Sequence, residues 1–136
     1  MLLVDSSVLI AAARSSERLH EQAVKALEAR AADHLVVPTS ILSETMGFLG
    51  RRLGVHQQRN FWDGFLDSGI ELVTVDRELI ESARDIDRRY EDAGFGFVDC
   101  TLLAACERLR CSQVLSFDRR LAAYRPSFAS GLEVLP

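Results

Sequence analysis

The chain alternates short apolar runs with longer stretches of helical periodicity. Leu2–Val4, Leu35–Val37, Ile70–Val75, Gln113–Ser116 and Leu132–Leu135 are compact runs bounded by polar or turn residues, which is the pattern of strands. The intervening stretches read as helices. Ser6 to about Ala13 forms the first. After the polar loop Arg14–Arg18, a second reaches about Ala32, with Leu19, Ala23, Ala26, Leu27 and Arg30 at helical spacing. Thr39 is placed to cap a third that runs to Leu53 and closes at Gly54. Val55–Ser68 carries Phe61, Trp62, Phe65 and Leu66 and stops at Gly69. Asp76 starts a helix in which Leu79, Ala83, Ile86 and Tyr90 recur on one face. Gly94-Phe95-Gly96 breaks it, Val98–Leu109 forms another, and a short helix lies near Arg119–Tyr124. Strands alternating with helices predict right-handed βαβ units, so the expected fold is an α/β sandwich with a parallel sheet covered on both faces.

Composition narrows the class without changing that picture. A chain of 136 residues, 48% apolar and 26% charged, is expected to fold as one domain over residues 1–136. Its apolar runs fall far short of the roughly 20 residues a membrane helix needs, and the start resembles no signal peptide, so a cytoplasmic location is expected. The net charge of −4 and pI near 5.4 mean that any grip on nucleic acid must come from a local patch. Cys100, Cys106 and Cys111 form no Cys-x-x-Cys pair and are expected to be reduced core thiols.

Four carboxylates stand out by position. Asp5 follows the first strand directly, and Asp118 follows Gln113–Ser116 after one residue. In an open α/β sheet these are the ends at which ligands bind, although Asp also caps helices. Glu44 lies on the edge of the face made by Ile41 and Phe48, with a salt bridge to Arg51 or Arg52 as the plainer reading. Asp99 heads a stripe with Leu102, Leu103 and Cys106, where capping is again the plainer role. Burying an ionised carboxylate is costly unless it is paired or binds a metal. His20, His34 and His56 are scattered and read as surface residues rather than ligands. An all-oxygen set selects Mg²⁺ or Mn²⁺ over Zn²⁺, and such ions serve phosphodiester hydrolysis.

Residues across nearly the whole chain resemble the PIN-domain ribonucleases, in particular the VapC toxins of bacterial toxin–antitoxin pairs. The resemblance rests on Leu3-Val4-Asp5-Ser6-Ser7-Val8-Leu9-Ile10, Thr39-Ser40-Ile41-Leu42-Ser43-Glu44, Phe97-Val98-Asp99-Cys100-Thr101-Leu102-Leu103-Ala104 and Val114-Leu115-Ser116-Phe117-Asp118-Arg119-Arg120-Leu121. Ser116 stands where the family often has threonine, which keeps the hydroxyl. The resemblance implies a three-layer α/β/α sandwich and Mg²⁺- or Mn²⁺-dependent endonucleolytic cleavage of RNA. It implies Asp5 and Asp99 as direct metal ligands, with Glu44 and Asp118 completing the catalytic cluster. Ser7 and Ser116 would hydrogen-bond within the site or to a substrate phosphate. It also implies a homodimer and a small VapB-like antitoxin partner. Arg51, Arg52 and Arg59, or Arg119 and Arg120, are candidates for phosphate contacts.

Three other classes compete. A phosphotransferase with Asp5 as nucleophile would want a second acid where Ser7 stands. A dinucleotide-binding fold would need glycines that Leu3–Ile10 lacks. A catalytically silent PIN-like module that binds RNA or a protein partner is the remaining alternative, and the four intact acids count against it.

Overall fold

The computed structural model describes all residues, Met1–Pro136. Its five strands are β1 (Leu2–Val4), β2 (Leu35–Pro38), β3 (Glu71–Val73), β4 (Gln113–Leu115) and β5 (Glu133–Leu135). They form one parallel sheet in the order β3-β2-β1-β4-β5. The six α-helices are α1 (Ser6–Ala13), α2 (His20–Ala29), α3 (Thr39–Leu53), α4 (Val55–Asp67), α5 (Arg77–Arg89) and α6 (Phe97–Leu109). With right-handed crossovers, this strand order puts α1–α4 on one face and α5–α6 on the other. The expected three-layer α/β/α sandwich is therefore the observed fold. No helix is long and apolar enough to cross a membrane.

Burial explains the sequence pattern. β1 is covered on both faces, so Leu2, Leu3 and Val4 are all buried and the strand reads as a continuous apolar run. Leu79, Ala83 and Ile86 of α5 are buried against the same core that receives α6. The chain leaves β1 toward β2 on one side, while β4 joins β1 from the other. The order reverses at this point, and a crevice opens outside the carboxyl ends of β1 and β4. Asp5 follows one of these ends, and Asp118 lies three residues beyond the other.

The boundaries differ from the sequence reading in three informative places. The expected strand Ile70–Val75 is reduced to β3, an edge strand with Glu71 and Leu72 exposed. Its partner β2 ends at Pro38, which has no N–H and turns directly into α3. The Val75 N–H donates instead to Thr39 Oγ1 at 3.0 Å, so Thr39 ties β3 to α3 rather than capping its own helix. The second helix starts at His20 and ends at Ala29, followed by a turn. His20 is half-buried and bonded through Nδ1 to the Ala11 carbonyl at 2.8 Å, a structural role rather than a surface one.

Candidate active site

Asp5 is the best-buried acid at the crevice, only 4% exposed. Its N–H donates to the Leu115 carbonyl at 3.0 Å, so the backbone of β4 fixes its position. It occupies the N-terminal cap position of α1 but makes no side-chain cap. Instead its Oδ2 accepts from Ser7 Oγ at 2.9 Å and from Ser116 Oγ at 2.7 Å. Each of these hydroxyls also accepts a backbone N–H, Ser7 from Phe117 and Ser116 from Asp118. Both hydroxyl protons are thus directed to Asp5, and the two serines position this acid within the site. Asp5 Oδ1 has only a long 3.5 Å contact with Ser6 Oγ.

Ser6 is the link that sequence reasoning missed. Its single proton is directed to Glu44 Oε2 at 2.6 Å, which ties the exposed Glu44, in the N-terminal half of α3, to the edge of the crevice. Ser6 sits inside the Asp-Ser-Ser segment, but nothing local shows that it faces α3. Neither Asp5 nor Glu44 forms a salt bridge, so the alternative pairing of Glu44 with Arg51 or Arg52 is absent. One turn before Glu44, the hydroxyls of Ser40 and Thr101 meet at 2.7 Å. Thr101 directs its proton to the Val98 carbonyl, so Ser40 is the donor, and α3 is pinned to α6 beside Asp99.

Asp99 lies in the first turn of α6, where its Oδ2 accepts the Gly96 N–H at 3.3 Å. Burial raises its pKa above the usual carboxylate range; the Gly96 N–H opposes this, Asp5 and Asp118 push it further, and Arg120 pulls it back. The helix-terminal role considered from sequence is real, and it coexists with charge coupling to two other acids. Asp118 also fills a capping role, accepting the Arg120 N–H at 3.0 Å. Its pKa is held low, chiefly by the Arg120 side chain. The neighbouring Cys100 thiol is pushed up to about 11 by burial, and all three cysteines are buried and free.

Arg120 is the feature that the sequence reading placed differently. Its Nη2 lies 2.5 Å from Asp118 Oδ2 and 3.7 Å from Asp99 Oδ2. Its Nη1 donates to the Gly94 carbonyl at 2.8 Å. Asp5, Asp99 and Asp118 thus form one electrostatically coupled group, with Glu44 attached through Ser6. No three of these side chains stand at a common ligating distance, with Arg120 engaging two of them. The donor set itself fits a hard divalent cation. Every donor is an oxygen, and Asp5 is a buried carboxylate with no salt-bridge partner.

A sequence model of the PIN domain matches residues 2–125. The chain belongs to the PIN domain family. Solved structures similar to this PIN domain include VapC20 of Mycobacterium tuberculosis, described as a Sarcin–Ricin loop cleaving toxin. That likeness has a TM-score of 0.84 at 23% identity and covers 96% of this chain and 99% of that one. Another is VapBC2 of Rickettsia felis bound to a DNA fragment from its promoter, with a TM-score of 0.68 at 13% identity, covering 86% and 87%. At such identities the likeness bears on the fold alone. No curated protein sequence matches the chain.

Proposed function

We propose that this PIN domain is a metal-dependent endoribonuclease and the toxin of a VapBC-type pair. The observation that carries the reading is the cluster at the switch point of the sheet, where buried Asp5 is held by the Ser7 and Ser116 hydroxyls and Asp99 lies within reach of the charges of Asp5 and Asp118. Asp5 and Asp99 would hold Mg²⁺ or Mn²⁺, with Glu44 and Asp118 completing the site. A bound ion of this kind supplies a hydroxide nucleophile and stabilises the leaving oxygen of a phosphodiester. Ser7 and Ser116 hold Asp5 in orientation through its Oδ2. Ser6 aligns Glu44, and the Ser40–Thr101 contact keeps α3 against α6.

RNA as substrate rests on the resemblance of the chain to the VapC ribonucleases and is supported by the similar VapC20, a Sarcin–Ricin loop cleaving toxin. An antitoxin partner is supported by the similar VapBC2 assembly. A homodimer fits the apolar surface left on α4: Phe65 is buried and Phe61 packs on the core, but Trp62 and Leu66 stay 54% and 67% exposed. Light scattering at tens of micromolar should give twice the chain mass. A cytoplasmic location fits these proposed roles.

The decisive experiment is cleavage of RNA by purified protein with Mg²⁺ or Mn²⁺, stopped by EDTA. Asp5→Asn and Asp99→Asn should each lower the rate by about a hundredfold or more while the fold is kept, since an amide is a poor ligand for a hard cation. Undiminished cleavage by Asp99→Asn would overturn the assignment. One observation favours the silent-module reading: the hydrogen bonding of Arg120 to Asp118 and its approach to Asp99. Calorimetric titration with Mn²⁺ separates the two readings, because a silent module needs no ion.

A further inference from the structure

We propose that Arg120 is a built-in counter-cation of the acidic cluster that competes with the divalent ion for Asp118 and Asp99, and so sets the protein's metal affinity. The inference rests on the metal-site reading above and names the residue that regulates the site. Like charges brought together at a crevice repel, and the cluster needs a positive partner when no ion is bound. Arg120 is the cation the fold supplies. Both oxygens of Asp118 are engaged: Oδ1 accepts the Arg120 N–H and Nε–H at 3.0 Å each, and Oδ2 accepts Nε–H at 3.2 Å and Nη2–H at 2.5 Å. These are the lone pairs that a metal ion at this cluster would use. Coordination by Asp118 therefore requires the guanidinium to yield.

The geometry makes that exchange feasible. The Arg120 side chain is 55% exposed, whereas those of Asp99 and Asp118 are 20% and 22% exposed. The guanidinium can swing into water with little desolvation change, while the carboxylates stay fixed. Gly94 controls its aim. This residue sits at φ +76°, a left-handed conformation suited to glycine, and turns its carbonyl to Arg120 Nη1 at 2.8 Å. That hydrogen bond holds the guanidinium over the start of α6, where Asp99 lies 3.7 Å away. When one ligand must displace an internal competitor, its apparent affinity falls by the fraction of molecules in which the site is free.

The test is calorimetric titration of the purified full chain with MnCl₂, without RNA, together with melting in EDTA and in saturating Mn²⁺. Arg120→Gln should bind Mn²⁺ about tenfold more tightly than the unaltered protein. Arg120→Lys, which keeps a charge but not the forked hydrogen bonds, should fall between them. In EDTA, Arg120→Gln should melt lower, and in Mn²⁺ that deficit should shrink or reverse. A purely structural role would lower the melting temperature equally in both conditions. Should Arg120→Gln fail to fold, Arg120→Ala gives the same comparison. Equal or weaker Mn²⁺ binding by the variant overturns the role of Arg120 and leaves the metal site standing. Absence of Mn²⁺ binding in both proteins overturns the metal site and this inference with it.

Discussion

Asp99 and Asp118 are both acids at one crevice, yet their surroundings push them in opposite directions. Burial raises the Asp99 pKa, and Asp5 and Asp118 add to it; hydrogen bonding to Arg120 lowers that of Asp118. The folded state therefore holds the Asp99 proton more tightly than the unfolded chain does, and the stability this contributes is lost as pH rises through the folded pKa. Asp118 contributes stability above its unfolded pKa and loses it as pH falls through its folded one. At neutral pH in EDTA, Asp99→Asn should raise the melting temperature, by about 1 kcal/mol or a few degrees. Asn can still accept the Gly96 N–H, so the cap survives. Asp118→Asn should lower it by up to about 1 kcal/mol, a figure already reduced for solvent screening. Shifts of the same sign in differential scanning calorimetry would contradict the opposed environments. The positions of Asp5 and Asp118 were legible in sequence because each follows an apolar run at a strand end. The cationic partner was not: Arg120 reads locally as a phosphate contact, and only the turn at Gly94 aims it back into the cluster.

Helices were readable wherever one face is buried, as the stripe Leu79, Ala83, Ile86 in α5 shows. Periodicity encodes such a face directly. Strand lengths were less readable, because a ladder is set by the partner. Val75 belongs to an apolar run, but β2 stops at Pro38 and leaves it to Thr39. The turn before α6 is the element on which the site most depends, since it both starts the helix of Asp99 and anchors Arg120. A Cβ at Gly94 would sit 3.3 Å from Arg120 Nη1, on a backbone at φ +76°. Gly94→Ala should cost about 1–2 kcal/mol from the left-handed conformation alone. It should also loosen Arg120, so Mn²⁺ should bind it more tightly than the unaltered protein despite the lower stability. Denaturant unfolding paired with calorimetry reads both effects, and an unstable variant with unchanged Mn²⁺ affinity would separate the turn from the guanidinium.

At the scale of the molecule, a net charge of −4 creates two ways for a cation to stabilise this protein. Any salt screens the overall repulsion, weakly and without regard to identity. A metal site acts otherwise, through binding to the folded state alone, which is worth about 2.7 kcal/mol when the free ion is a hundredfold above its Kd. For a chain of 136 residues that corresponds to roughly 10 °C in Tm. Mn²⁺ at such an excess should therefore raise the melting temperature by several degrees beyond NaCl at matched ionic strength. The increment should shrink in Asp5→Asn and Asp99→Asn, whose amides bind hard cations poorly. Asp99→Asn should consequently melt above the unaltered protein in EDTA and below it in Mn²⁺. Such a crossing of the two curves requires that the carboxylate be a liability to the empty fold and an asset to the loaded one. Screening alone would move both proteins in parallel, and if NaCl reproduced the Mn²⁺ effect in full, the acids at the switch point would not bind the ion.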